Sequence, residues 1–327
     1  MKDTLQKRCR QLVENNDALR KAFKLEYGVL LILCAVIIGL RPIDVEKIKE
    51  CKQIIKKKTS LFSSFRSTSF LALATLLSLE DDPESKMDDI INTYSIFKEN
   101  KFKDSDYLAI SAFMIKDTDR SEKEKWIQKA RDIYTLIKAK HPVITSSDDY
   151  GYTVMLALSA RSAEAAVVEK DRCYEFLKDQ FRSKDAVQAL SFVLALGGES
   201  PEIKCERALR LFDELKKKGY KPGTEFELPG LGALTLAAKN ESQTISDLIE
   251  VSDFLKTKKG FGALSIEKTQ RLLYAAALVV QENGGDDDSL NLTLTTTVTN
   301  ILLAIQMTMI IAASAASVVV ASSTPSS

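Results

Sequence analysis

Chemistry in this sequence would have to come from carboxylates and a single histidine. His141, in the stretch AKHPVIT, is the sole histidine among 327 residues, so a Ser-His-Asp or Cys-His arrangement would rest entirely on it. It falls beside Pro142 in an expected loop, where a structural role is the preferred reading. Acidic clusters stand at Glu80 to Asp82, at Asp106, at Asp148 and Asp149, and at Asp286 to Asp288. Paired carboxylates can exchange protons or bind a cation. Each cluster also sits where caps and turns favour Asp, so the structural reading is preferred for each.

Other reaction centres lack their residues. No phosphate loop of the form G-x-x-x-x-G-K-[ST] occurs, and GFGAL (Gly260 to Leu264) lies between helical patterns and reads as a turn. Cys9, Cys34, Cys51, Cys173 and Cys205 are odd in number and form no C-x-x-C pair, which indicates neither a disulfide framework nor a zinc site. No cofactor and no metal is expected. The formal net charge is only +1, so the footprint of a nucleic-acid-binding protein is missing from the whole chain. Residues 1–58 are the exception, with 14 Lys or Arg against 7 Asp or Glu. Six of those lysines lie in KIKECKQIIKKK (Lys47 to Lys58), read as a solvated helix face that could also meet an acidic partner or an anionic membrane.

The elements that must position these groups repeat. An amphipathic segment ends in apolar residues plus Lys at Lys56, Lys98, Lys138, Lys178, Lys216 and Lys256, with spacings of 42, 40, 40, 38 and 40 residues. Between the markers come short segments apolar on nearly every side, such as SFLALATLLSL, AVQALSFVLAL and RLLYAAALVV. Such a helix is expected to be inner and its amphipathic partner outer. Pro83 and Pro201 suit the first turn of an outer helix. Ser67, Ser105, Ser146, Ser183 and Ser265 stand near inner-helix starts, and Thr224 with Glu227 has the spacing of a capping box. Phe65, Phe102, Phe181, Tyr220 and Phe261 are placed to staple the chain entry.

The predicted fold class is all-α: αα-hairpin repeats of about 40 residues forming an open superhelix or a closed α/α toroid, a choice that periodicity leaves open. Residues 1–283 form one helical-repeat domain in this reading, 284–289 an acidic linker, and 290–327 an uncharged Ala/Ser/Thr-rich tail helix. Ile301 to Ala321 is long enough to span a membrane but lacks flanking Lys or Arg and interfacial Trp or Tyr, so packing or self-association is preferred. Residues at the N-terminal mouths of the inner helices are the expected ligand contacts: Asp106 and Tyr107, Asp149 and Tyr150, Gln270 and Arg271. A cytoplasmic location fits the charged N-terminus and the scattered thiols.

LFDELKKKGYKPGTEF (211–226) resembles the second helix and turn of an RNA-binding pentatricopeptide repeat, but the period here is about 40 and LGALTLAAK offers almost nothing to a base edge. The stretches FSSFRSTSFLALATLLSLEDDPE and SFVLALGGESPEIKCERALRLFDELKKKG, KGFGAL followed by RLLYAAALV, and the Ala/Ser-rich end resemble a family of uncharacterised bacterial proteins known as a domain of unknown function. The resemblance covers nearly the whole chain; it implies a bacterial, cytoplasmic protein and supplies no activity or site residue. The expected function is a scaffold that binds a protein, a peptide or itself, with nucleic acid disfavoured. The alternatives are an enzyme with a small-molecule site at the mouth of a toroid, and a peripheral membrane protein using its tail.

Overall fold

The computed structural model describes residues 1–115, 119–159, 161–225 and 227–283. The acidic linker with Asp286 to Asp288 and the tail at 290–327 lie outside the described residues. All regular structure among the described residues is helical. Seven hairpins follow in order: α1 (Asp3–Ala22) with α2 (Gly28–Ile38), α3 (Val45–Lys58) with α4 (Phe70–Leu77), and α5 (Pro83–Glu99) with α6 (Asp106–Met114). They continue with α7 (Arg120–Lys140) and α8 (Tyr150–Leu158), α9 (Ala163–Leu177) and α10 (Lys184–Ala195), α11 (Pro201–Lys217) and α12 (Leu228–Ala237), and α13 (Glu241–Lys256) and α14 (Lys268–Asn283). Short 3-10 turns at Ser64–Arg66 and Ser147–Asp149 lead toward α4 and α8.

The two members of a hairpin differ as their sequences require. In α11, Ala208, Leu211 and Leu215 are buried along one stripe while Glu202, Glu206 and Arg210 are exposed. In α4 every residue from Leu71 to Leu77 is buried, and in α14 every residue from Arg271 to Val280. Segments of about ten residues are unstable alone in water, so the even-numbered helices persist because neighbours cover them on all sides. Close approach has a local cause in α12: a Cβ on Gly232 would stand 2.9 Å from both Leu190 and Val193 of α10, and one on Gly230 only 2.3 Å from Leu273 of α14. These glycines let three inner helices pack at short range.

The helix ends are signed. Asp44, Asp82, Asp119, Ser162, Ser200 and Asn240 each accept a bond from a first-turn backbone N–H of the odd-numbered helix that follows, a contribution of about 1 kcal/mol per cap. Pro83 and Pro201 occupy first-turn positions. Lysines close the last turns of α3, α5, α7, α11 and α13, where a cation meets the negative end of the helix dipole. Ser105 and Ser183 cap α6 and α10. Ser146 caps the short turn Ser147–Asp149 that leads into α8, and the remaining expected caps differ. Ser67 instead donates to Asp106, no side-chain cap bond forms at Glu227, whose carboxylate accepts from Thr269 at 3.0 Å, and α14 begins at Lys268, past Ser265. At Glu227 a partner from the neighbouring hairpin has taken the place of a local one.

Each odd-numbered helix packs on the next, from α1 through α13, and α13 and α14 both pack on α1. Arg8 Nε meets Glu282 at 2.7 Å, Thr4 donates to the same carboxylate, and the Tyr274 hydroxyl donates to the Val29 carbonyl at 3.1 Å. Further contacts tie the loops that run into even-numbered helices to neighbouring loops and helices. Ser64 reaches Asp104, the Lys103 N–H reaches the Tyr150 hydroxyl at 3.2 Å, and Gln188 reaches the Ile144 carbonyl at 2.7 Å. Thr269 then reaches Glu227, and Gly260 lies against Asn16 and Arg20. These contacts set starts of neighbouring even-numbered helices side by side along one rim.

Candidate functional site

On that rim the starts of α8, α10 and α12 enclose a cavity of about 140 Å³ whose wall includes Asp148, Asp149, Tyr152, Asp185, Glu225 and Pro229. The turn Ser147–Asp149 positions the first two carboxylates. Its capping box pairs Ser146 with Asp149, and the Ser146 N–H donates to Asp149 Oδ2 at 2.9 Å. Asp185 lies in the first turn of α10, where the dipole favours an acid. Local rules for helix starts thus bring carboxylates to one mouth.

A buried polar network fixes the floor. Gln188 Nε2 of α10 donates to the Ile144 carbonyl at 2.7 Å, to Thr145 Oγ1 at 3.3 Å and to Asp149 Oδ2 at 3.3 Å. Its Oε1 accepts from Lys170 Nζ at 3.2 Å. Lys170 of α9 has no exposed surface, meets Asp171 at 3.3 Å, and sits over the Tyr174 ring at 4.9 Å. Asp171 is also held by Lys140 at 2.7 Å and by His141 at 3.2 Å. The chain Asp149–Gln188–Lys170–Asp171–His141 therefore connects the cavity to the outer surface.

Charge in this mouth is costly to hold. Burial, followed by the nearby charge of Asp148, pushes the Asp149 carboxyl up to about 8, against the opposing pull of the Ser146 N–H, Gln188 and Lys170. Asp185 is raised by burial and then by Asp148 and Glu225. Burial and the two carboxylates Asp149 and Asp148 raise Tyr152 as well. Burial also lowers Lys170. Asp171 is the contrast: burial would raise it, but hydrogen bonding from Lys140 and the Lys170 charge outweigh that and hold it below the usual carboxylate range.

The structure separates the six expected contacts. Asp149 lines the cavity. Tyr150, its neighbour in sequence, turns away and packs edge-on against Phe102 at 4.9 Å and Tyr134 at 5.2 Å. Asp106 accepts from the Ser67 hydroxyl one hairpin-pair away, and Tyr107 beside it is half-buried. Gln270 accepts from the Glu267 N–H at 3.3 Å at the start of α14. Arg271 is buried, donates from Nη1 to the Phe261 carbonyl at 3.3 Å, and leaves Nε without a protein partner. Asp149 is thus in the cavity wall without the other five.

Lys170, Gln188, Asp185 and Glu225 are absent from the sequence-based set. One signal was present: Lys170 falls on the buried stripe of α9 with Ala163, Ala166, Val167, Cys173, Tyr174 and Leu177, where a lysine needs a partner. Among the described residues no three His, Cys, Asp or Glu side chains are grouped so as to hold a metal ion. The carboxylates are spread round the wall, an arrangement suited to a cation with volume of its own. No helix of the described residues is long and apolar enough to cross a membrane.

Comparison with known proteins supplies relatives without an assigned chemistry. The uncharacterized protein YeaA of Bacillus subtilis (strain 168) is 22% identical over 240 residues, which cover 71% of each chain. No solved structure matches. The model of a family described as a protein of unknown function (DUF4003) matches residues 15–311, nearly the whole length, and the chain belongs to that family.

Proposed function

We propose that the seven hairpins close into one α/α ring, and that this ring is a scaffold whose acidic mouth receives a cationic side chain, lysine or arginine, from a protein or peptide partner. What supports closure is the packing of α13 and α14 on α1, tied by Arg8 and Glu282. The binding reading is carried by one observation: Asp148, Asp149, Asp185 and Glu225 share the wall of a single cavity. Carboxylates held close together repel, and an entering cation relieves that repulsion. The space is about 140 Å³, whereas a helix with its side chains is roughly 10–12 Å across, so only a side chain or a small amine enters.

Calorimetric titration of the full chain with an arginine-rich peptide, and with its glutamate counterpart, tests this reading. The basic peptide should bind, binding should weaken with salt, and Asp185→Asn combined with Glu225→Gln should weaken it by at least about tenfold, or 1.4 kcal/mol. Equal binding of the acidic peptide, or no effect of the double substitution, would remove the proposal. A free diamine that bound more tightly than any peptide would redirect the site toward small-molecule chemistry.

A further inference from the structure

A different sector of the same rim joins the loops α1–α2, α3–α4 and α13–α14. Gly260 lies against Asn16 and Arg20, so the last loop meets the end of α1. Lys52 of α3 reaches Glu26 at 3.3 Å and sits over the Phe23 ring at 5.3 Å, which brings the α1–α2 loop against α3. Each loop contributes an apolar side chain that points at solvent. Leu25 is 101% exposed, Phe62 96% and Leu264 105%, with Leu61 and Tyr27 also exposed. These are not failed core residues, because each loop already supplies a packed one: Phe65 and Phe261 are buried, and Phe23 packs against the core. The tips are surplus to folding.

The charge around them is one-sided. Residues 20–28, 56–66 and 256–268 hold eleven Lys and Arg against two Glu, while the whole chain is close to neutral. Lys57 and Lys259 are exposed in the segments that carry the tips. The loop carrying Leu61 and Phe62 is braced beneath: Arg66 donates to both the Thr59 carbonyl and its hydroxyl, and Thr59 donates to the Ile55 carbonyl at 2.6 Å. The apolar tips therefore project from an anchored base.

From this combination we infer that the rim sector of Leu25, Leu61, Phe62 and Leu264 docks on an anionic phospholipid surface, with the apolar tips entering the interface and the surrounding lysines facing the headgroups. Basic residues near a negatively charged leaflet are each worth a modest attraction, and aliphatic and aromatic side chains at the acyl boundary add burial that phosphate contacts alone lack. Other occupants fit less well. A second copy meeting the same face would oppose like charges, and although Phe62 and Tyr27 could stack on a base, the aliphatic Leu25, Leu61 and Leu264 would stay in water against a nucleic acid. The inference is independent of the acidic mouth, whose residues it does not use.

Co-sedimentation of the full chain with vesicles of phosphatidylcholine alone, and of phosphatidylcholine with phosphatidylglycerol, tests it. Binding should appear only with the anionic lipid and fall as salt rises. Leu61→Ser with Phe62→Ser should lower the partition coefficient by at least about tenfold, and Lys57→Glu with Lys259→Glu should do the same, with thermal unfolding unchanged in both. Three results would overturn it: no binding of the wild-type chain at low salt, variants that bind as well as wild type, or a concentration-dependent dimer that Leu61→Ser with Phe62→Ser abolishes while vesicles stay unbound. The second would assign binding to residues outside this sector, the third to self-association.

Discussion

Around α8, α10 and α12 the rim loops turn polar side chains inward, onto a cavity whose carboxylates are partly buried and tied through Gln188 to Lys170. Around α1–α2, α3–α4 and α13–α14 the loops send Leu25, Phe62 and Leu264 outward, amid a surplus of lysine and arginine. Both sectors are built from the same unit, an amphipathic helix running through a loop into a helix buried on all sides. The two sectors therefore differ in their connections, which can change charge and shape without disturbing the apolar packing beneath. One sector holds its polar residues by burial and the other leaves its apolar residues exposed, so substitutions should separate them by their cost in stability.

The largest difference is expected where the acidic sector rests on aromatic packing. Tyr150 is 2% exposed and closes a cluster with Phe102 and Tyr134, so Tyr150→Ala should cost about 3–5 kcal/mol in urea unfolding. A cost below about 1 kcal/mol would mean that the turn carrying Asp148 and Asp149 stands without that support. Gln188→Ala comes next. It removes the donor shared by Ile144, Thr145 and Asp149 and strips Lys170 of one acceptor, a loss of about 1–3 kcal/mol by the same measurement.

Titration gives the third way to separate the sectors. Asp149 titrates near 8 when folded and in the ordinary carboxylate range when unfolded, so between those values the folded chain holds a proton that the unfolded chain has released. Stability from this group is therefore full at acid pH and is lost as pH rises toward about 8, by at most about 1.4 kcal/mol per pH unit. Asp148, Asp185 and Glu225 share the cavity wall with it, and Lys170 approaches through Gln188; the lysine works against the rise and Asp148 with it. Unfolding midpoints measured across that range should slope for the native chain and flatten for Asp149→Asn. Binding of a cation should run the other way and strengthen with pH, because the ionised carboxylate is the better partner.

The helical alternation was legible in sequence for a physical reason: burial of a helix on one side or on all sides imposes a period that a single chain records. The last-turn lysines, Pro83, Pro201, Ser105 and Ser183 were legible too, since caps and dipoles act within one helical turn. Of the cavity wall, the pair Asp148 and Asp149 was legible as an acidic cluster at a helix start. Gln188 and Asp185 come to it from α10 and Glu225 from the loop before α12, all tens of residues away, and nothing local distinguishes Gln188 from any other glutamine in an apolar helix. Tyr150 packs on Phe102 and Tyr134 instead of the cavity because adjacency at a helix start says nothing about direction, and successive residues there point about 100° apart. Thr224 and Glu227 show the same limit, as a correct local spacing whose carboxylate pairs with Thr269 of another hairpin.

The smallest effect is the sharpest test of the contrast. Phe62 and Phe65 lie three residues apart in the same loop, yet Phe62 is 96% exposed and Phe65 only 4%. Phe65 also packs against Tyr94 with ring centroids 4.9 Å apart. Phe65→Ala should therefore cost about 3–5 kcal/mol, whereas Phe62→Ala should change stability by less than about 0.5 kcal/mol. The comparison is internal, since chain, loop and substitution are the same and only direction differs. Equal costs in urea unfolding would mean that Phe62 packs in solution, and the exposed tips would then belong to the core rather than to a surface waiting for a partner. A cost confined to Phe65 would leave Phe62 with no structural reason to be apolar, and that leaves contact outside the chain as its use.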